Sequence, residues 1–383
     1  MNNTDEHQVE VRNPERLGAD KLPAERIALG GGYKPCIMEL PSGELRVIAF
    51  KGEGLPDKRF RENMLLFRSH DGGMTWSDAE IPDLRGREPY FSLMDDGTIF
   101  ISAHMHPGDI RTPVEYTHSY LHRSDDGGHT WQSIVITTDE QPGAPEVPKW
   151  ILSGRNVQKL ADGSIIFGMD VREHAQYLWR SHDSGRTWDR SLQCTFEGEG
   201  PTGPTTGKAW WPSGIAEAVY WQARNGDLLG IFRVEPDGFP PILGTEIVER
   251  VNDQVERLVV FRSTDGGKHW TQEDELGSYY GEMYPAVLRL QDGRLMMTFT
   301  VRAVREPLGV HAVLGKETDN GFEFDFEQDR IVLDAKTPIG GKSGGGFGPT
   351  IQLNDGTLVT AHSYRGLDGE AHIEVVRWRL PSF

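Results

Sequence analysis

Short apolar runs alternate with polar, glycine-bearing turns along the whole chain, and no segment sustains the apolar period of a long amphipathic helix. Runs such as Leu65-Leu66-Phe67-Arg68 and Tyr120-Leu121-His122-Arg123 are rich in bulky side chains and lead straight into tight turns, as the strands of antiparallel hairpins do. The pattern predicts an all-β chain of short strands.

Two kinds of turn recur. The first joins two apolar runs through an Asp, Asn or Ser followed by glycine, at Ser42-Gly43, Asp96-Gly97, Asp162-Gly163, Asn225-Gly226, Asp292-Gly293 and Asp355-Gly356. Between these copies lies Ser-x-Asp-x-Gly-x-(Thr/His)-Trp, at Ser69–Trp76, Ser124–Trp131, Ser181–Trp188 and Ser263–Trp270, with a degraded copy at Asp319–Phe324. In this motif the aspartate can accept turn N–H groups, the glycine supplies positive φ, and the tryptophan packs between neighbouring sheets. These aspartates are read as fold markers, not as catalysts. Repetition of this kind defines the architecture. Six copies of the first turn predict a six-bladed β-propeller, residues 1–383 forming one domain of four-stranded meanders. The final unit lacks its own Ser-x-Asp turn. The segment His7–Val11 alternates suitably to supply the missing strand, so the amino-terminal strand is expected to pair with the last blade and close the ring.

This layout puts both kinds of turn on one face and leaves the other for chemistry. The long links 189–214 and 137–152 fall on that second face, where loops carry function. The 45 glycines and 10 tryptophans are scattered, as the repeats require. A net charge of −18 without any Lys/Arg run excludes a nucleic-acid binder, which needs a basic footprint. Nothing approaches the length of a membrane span, and residues 1–7 lack an apolar leader core, so a cytoplasmic protein is expected. Cys36 and Cys194 offer neither a disulfide framework nor a metal pair and are read as structural thiols.

Candidate residues are the polar side chains at the functional ends of the strands. They are Tyr33 and Lys51; Arg87, Glu88, His104 and His106; Arg155, Asn156, Asp170 and Arg172; Glu217, Arg233 and Glu235; Glu282, Tyr284, Arg302 and Arg305; and His362, Tyr364 and Arg365. Several arginines converging on one axis suit a sugar that carries a carboxylate, because guanidinium groups bind carboxylates bidentately.

The Ser-x-Asp-x-Gly-x-Thr-Trp copies resemble the Asp boxes (BNR repeats) of the sialidase, or neuraminidase, superfamily, and they span most of the chain. That resemblance implies an arginine cluster for a carboxylate, a tyrosine nucleophile activated by a glutamate, and an acid/base carboxylate. The stretch Ser213-Gly214-Ile215-Ala216-Glu217 to Arg233 is similar to the family segment holding the activating glutamate and one arginine; Arg302 matches a further arginine. The chain has Tyr33-Lys34-Pro35 where the family has Arg-Ile-Pro, with the similar Arg87-Glu88-Pro89 one blade later. It has Phe347-Gly348-Pro349 at the nucleophile's register, and Tyr284 one blade earlier. Either the site is rotated around the ring or the scaffold carries different chemistry.

Three readings follow. In a sialidase-type glycoside hydrolase acting on a terminal acidic sugar, Glu217 activates Tyr284 or Tyr364. Arg87, Arg155, Arg172, Arg233 and Arg302 then bind substrate, and Asp109 or Asp170 serves as acid/base. In a lyase of the rhamnosyl-glucuronate type, His104 or His106 abstracts a proton beside Arg87 and Arg155-Asn156. A non-catalytic glycan-binding propeller is the third. No cofactor is expected and zinc lacks a third ligand; calcium through carbonyls and carboxylates is an option left open.

Overall fold

The computed structural model describes residues 7–56, 59–112, 116–138, 149–171, 175–197, 215–234, 256–273, 276, 278–336 and 346–381. Among them there is no α-helix; nearly every regular segment is a strand. Consecutive strands pair antiparallel, as short connections dictate. Tyr33–Glu39, Leu45–Gly54 and Phe60–Ser69 form one such meander. Arg87–Leu93, Ile99–His104, Ser119–Ser124 and Gln132–Ile136 form the next. Later in the chain Ile215–Gln222 pairs with Leu228–Val234, which pairs with Arg257–Ser263. Glu282–Arg289 pairs likewise with Arg294–Val301, and that strand with Gly309–Thr318.

Apolar clusters lie between neighbouring meanders. One combines Phe100 and Leu121 with Phe167, Tyr177 and Trp179; another joins Ile166 and Leu178 to Phe232, Phe261 and Trp270. Burying a large apolar side chain contributes about 1.5–3 kcal/mol, so these layers bind successive sheets to one another.

The recurrent turns are built as their residue types require. Asp71 Oδ1 accepts from the Met74 and Thr75 amides at 3.0 and 2.9 Å and from Ser69 Oγ at 2.8 Å, while Trp76 Nε1 donates to the Gly73 carbonyl at 3.0 Å. Asp126, Asp183 and Asp265 repeat the arrangement. Gly185 shows why glycine is needed: its φ is +77°, and a Cβ there would lie 2.5 Å from Phe100 of the preceding meander. The Thr75 hydroxyl and amide hold the Asp71 carboxyl down at about 2. Ser69 and Glu62 sit at opposite ends of the same strand, so Asp71 is remote from the functional end. Asp71→Ala is therefore expected to lower Tm by about 2–4 °C while kcat per folded molecule is unchanged. A drop in kcat at unchanged Tm, measured by calorimetry alongside steady-state rates, would reverse the assignment of the two faces.

The amino-terminal pairing differs from the sequence expectation. The partner of the last strand, Ala371–Trp378, is Lys21–Gly31, whereas Gln8–Arg12 lies between Lys21–Gly31 and Arg330–Val332. Both amino-terminal segments alternate, and alternation fixes which side chains face inward but not which edge accepts the strand. Val9 and Val11 are buried together with Leu22, Ile331 and Trp378, so the first strand fills the gap between two sheets.

Candidate active site

At the start of five of the meanders the backbone makes the same kink. Lys34, Glu88, Glu217 and Tyr284 have φ of 48°, 53°, 55° and 56°, each at a register shift in its strand pair, and Phe347 has φ 55°. Left-handed geometry is costly for residues with a Cβ, and Lys34, Glu88 and Tyr284 also precede proline, which normally imposes extended backbone. The kink turns these side chains inward to meet one another.

Tyr284 is the hub, and it is buried. Its hydroxyl lies 3.0 Å from Arg302 Nη1, 3.1 Å from Lys34 Nζ and 3.4 Å from Arg233 Nη1. Lys34 Nζ also meets Glu88 Oε1 at 2.6 Å. Arg155 Nη2 bridges Glu88, at 2.9 Å, and Glu217, while Arg233 takes the other oxygen of Glu217 at 2.8 Å. The Arg155 guanidinium stacks 4.4 Å above the Phe347 ring. Around the phenol, Lys34, Arg155, Arg233 and Arg302 thus face Glu88, Glu217 and Glu256, the last lying 3.9 Å from Arg233 Nη1. Arg302 has no carboxylate within ion-pair distance among the described residues, and its Nε is buried without a hydrogen-bond partner among them.

Burial dominates the titration of this cluster. It pulls Lys34 down to about 7, against the pull of Glu88 and with the help of Arg155 and Arg302. The unfolded chain therefore binds a proton that the folded chain gives up between about pH 7 and the ordinary lysine value of about 10.4, so stability rises with pH across that window. Keeping such a lysine costs stability at neutral pH, which is typical of working groups. For Glu88 burial would raise the carboxyl, but Lys34, Arg155, His104 and Arg87 hold it well below its ordinary value. His104 keeps some surface, yet its neighbours desolvate it and its pKa falls well below 6.5, with Arg87 and Arg155 adding to the effect and Glu88 opposing it.

Glu62 adjoins this network through Arg87, whose guanidinium lies 3.6 Å from Glu62 and 3.5 Å from Glu88. Burial, opposed by Arg87 and reinforced by Glu88 and Asp109, raises Glu62 to about 7, and its buried Oε2 has no hydrogen-bond partner among the described residues. It is a carboxylic acid that can hold a proton near neutrality.

The structure thus brings together Glu217, Tyr284, Arg87, Arg155, Arg233 and Arg302, with His104 beside them. Glu217 and the remaining candidates make no described contact with the Tyr284 hydroxyl itself. Glu217 makes ion pairs with Arg155 and Arg233 and reaches Tyr284 through these two, Arg233 at the hydroxyl and Arg155 over the ring at 5.4 Å. Asp109 is held by both Arg111 and the Glu62 amide, and its carboxyl is lowered despite burial, which suits a buttress rather than an acid. Asp170 is buried in Ile165–Val171, opposite Leu152 and Gln176, without a described contact to Tyr284. His106 packs 5.0 Å from Phe60 and accepts from the Gly108 amide. Tyr364 stacks on His372 next to a separate cluster of His362, Asp334, Glu374 and Lys336. Arg305 pairs with Glu327, Glu282 with Arg330, and Asn156 holds the Tyr220 backbone. Arg172 and Glu235 lie outside the described residues, as do most of the links 189–214 and 137–152. Lys34, as a member of the site, and Glu62 escaped the sequence reading. A signal for Lys34 was available: it precedes a proline at the same turn position as Glu88 and Tyr284. Glu62 carries no such mark. Among the described residues no group of three or more His, Cys, Asp or Glu side chains could hold a metal ion.

The fold is that of the sialidase-like β-propellers. Trypanosoma rangeli sialidase, solved in complex with sialic acid, superposes with a TM-score of 0.55 at 14% identity, covering 96% of this chain and 57% of that one. Penicillium chrysogenum alpha-L-arabinanase, complexed with arabinobiose, gives 0.56 at 14% identity over 91% and 97% of the two chains. A Dyadobacter fermentans protein of unknown function gives 0.66 at 17% identity over 98% of each. In sequence, a Paenibacillus xyloglucanase is 25% identical over an alignment of 268 positions that covers 57% of this chain and 24% of that protein. The chain therefore spans about a quarter of the length of that relative. No family model matches the chain.

Proposed function

We propose that this chain is a glycoside hydrolase that releases a terminal sugar bearing a carboxylate, a sialic acid or a uronate, from one six-bladed propeller spanning residues 1–383. The observation that carries the reading is the convergence of Lys34, Arg233 and Arg302 on the Tyr284 hydroxyl. Negative charge that develops on this oxygen during attack is met by fixed cations in a dry environment, where electrostatic stabilisation is strongest. Arg302 is the arm best placed to receive the carboxylate of an anionic sugar, because no acid among the described residues lies within ion-pair distance of it. Glu62 donates the proton to the leaving oxygen. Attack by Tyr284 forms a glycosyl-tyrosine, which water then hydrolyses, so the configuration is retained. The sialidase, arabinanase and xyloglucanase names among the similar proteins support a carbohydrate substrate.

A panel of sialosides and uronate oligosaccharides tests this, following new reducing ends and ultraviolet absorbance together. Sugar release without absorbance is expected. On the responding substrate Arg302→Lys is expected to lower kcat/KM by about 1–3 kcal/mol in transition-state binding, since charge remains but the bidentate fork is lost. Wild-type kcat/KM in Arg302→Ala would remove the carboxylate site. Absorbance from an unsaturated uronate would instead favour elimination, for which His104 is suited because its ring is held neutral beside Arg87.

A further inference from the structure

We propose that Lys34 is the base that takes the proton from the Tyr284 hydroxyl, so that the nucleophile is activated by an amine rather than by the carboxylate of Glu217. The proposal rests on the glycosidase reading above. Lys34 Nζ stands 3.1 Å from Tyr284 Oη and 4.2 Å from the centre of its ring. Its position is over-determined. The Lys34 amide donates to Ser363 Oγ at 3.2 Å, a Cβ on Gly346 would lie 2.5 Å from Lys34 Cγ, and the ammonium end is fixed by Glu88. Glu217 is unsuited to act as this base, because two guanidinium groups grip its carboxylate and it has no described contact with the phenol.

The charged and titratable groups that face Lys34 are Tyr33 on its own strand, Glu88, Arg155 and Arg302 on three neighbouring elements, and Tyr284 itself. Burial and the two arginines favour the neutral amine; Glu88 favours the ammonium. The balance, at about 7, leaves a sizeable neutral fraction at neutral pH. In the first step the lone pair of the neutral amine takes the phenol proton as Oη bonds to the anomeric carbon. The glycosidic bond breaks, and the leaving oxygen takes its proton from Glu62. In the second step water, deprotonated by Glu62, attacks the anomeric carbon, and the Lys34 ammonium returns its proton to the departing tyrosine oxygen. Both groups end as they began, and the net reaction consumes one water.

Because the working form is neutral, kcat/KM of the wild-type protein is expected to fall as pH drops below about 7. Lys34→Arg retains the charge and the hydrogen bond but cannot deprotonate. It is expected to lose about 10²-fold in kcat with little change in KM, and to lose that acid limb. Glu88→Gln removes the group that favours the ammonium and is expected to move the limb to lower pH. The titration of Lys34 is read independently of turnover from the carbon NMR signal of its Cε in the intact protein, assigned by its loss in Lys34→Arg. A midpoint near 7 supports the proposal, and a midpoint at the ordinary lysine value overturns it, whether or not the variants fold. Full kcat and an unchanged acid limb in folded Lys34→Arg, with Tyr284→Phe inactive, overturn the role of Lys34 alone. Full activity in Tyr284→Phe overturns the nucleophile reading and the proposal with it.

Discussion

Tyr284→Phe is expected to lower kcat by about 10³-fold or more, because under the proposed mechanism the substitution removes the attacking oxygen. The ring remains against Phe347, 5.3 Å away between centroids, so the fold should persist. The variant leaves Lys34, Arg233 and Arg302 without their shared acceptor, which costs stability through one buried and two partly buried donors rather than through packing. Saturation kinetics and a urea melt on the same preparation separate the two effects. If kcat stays within about tenfold of wild type in the folded variant, Tyr284 is not the nucleophile.

Arg155→Met carries the largest expected loss of stability. Arg155 joins Glu88 to Glu217, both buried, and stacks on Phe347, so its removal leaves Glu217 with Arg233 and Glu88 with Lys34 and the more distant Arg87. Breaking a buried ion pair by deleting one partner typically costs about 3–5 kcal/mol, and the retained cations place this case near the low end, about 3 kcal/mol. The pH dependence should change as well. Glu88 is held below its ordinary pKa in the fold, so its contribution is present above the unfolded value and disappears as pH falls through the folded one. Losing Arg155 raises the folded value and moves the acid loss of stability to higher pH. Urea midpoints across an acid-to-neutral series test both parts, and midpoints equal to wild type throughout would show that Arg155 does not hold the axis together.

The axial cluster also explains how one repeated backbone feature serves function. A strand that begins with a left-handed residue before proline aims a side chain inward instead of across the sheet, and the kink at Lys34, Glu88 and Tyr284 supplies a cation, an anion and a phenol at equivalent positions. Changing the residue at the kink changes the chemistry without changing the ring. In this chain the Arg-Ile-Pro position of the sialidase pattern reads Tyr33-Lys34-Pro35, and it is the lysine, not an arginine, that reaches the tyrosine. The sequence expectation has Glu217 activating Tyr284 or Tyr364; in the structure Arg233 lies between Glu217 and the Tyr284 hydroxyl.

What was legible in the amino acids alone is everything decided within a few residues. The Ser-x-Asp-x-Gly-x-Thr-Trp turns close through contacts two to four residues apart, such as Ser69 to Asp71 and Asp71 to Thr75, so their residue types suffice to announce them. Alternation announces the strands and their inward faces for the same reason. The axial site obeys no such local rule. Lys34 and Tyr284 are 250 residues apart, Glu88 and Arg155 67, and Arg155 and Glu217 62, so which charges meet depends on how the sheets pack around one another. Sequence could nominate the arginines but could not separate Arg302, which pairs with no described acid, from Arg305, which is spent on Glu327. It could not choose between two alternating amino-terminal segments, because both bury one face and only the available edges distinguish them. Least of all could it single out Lys34 and Glu62: an exposed lysine and an exposed glutamate titrate far from neutrality, and it is burial, a property of the assembled fold, that brings both to about 7.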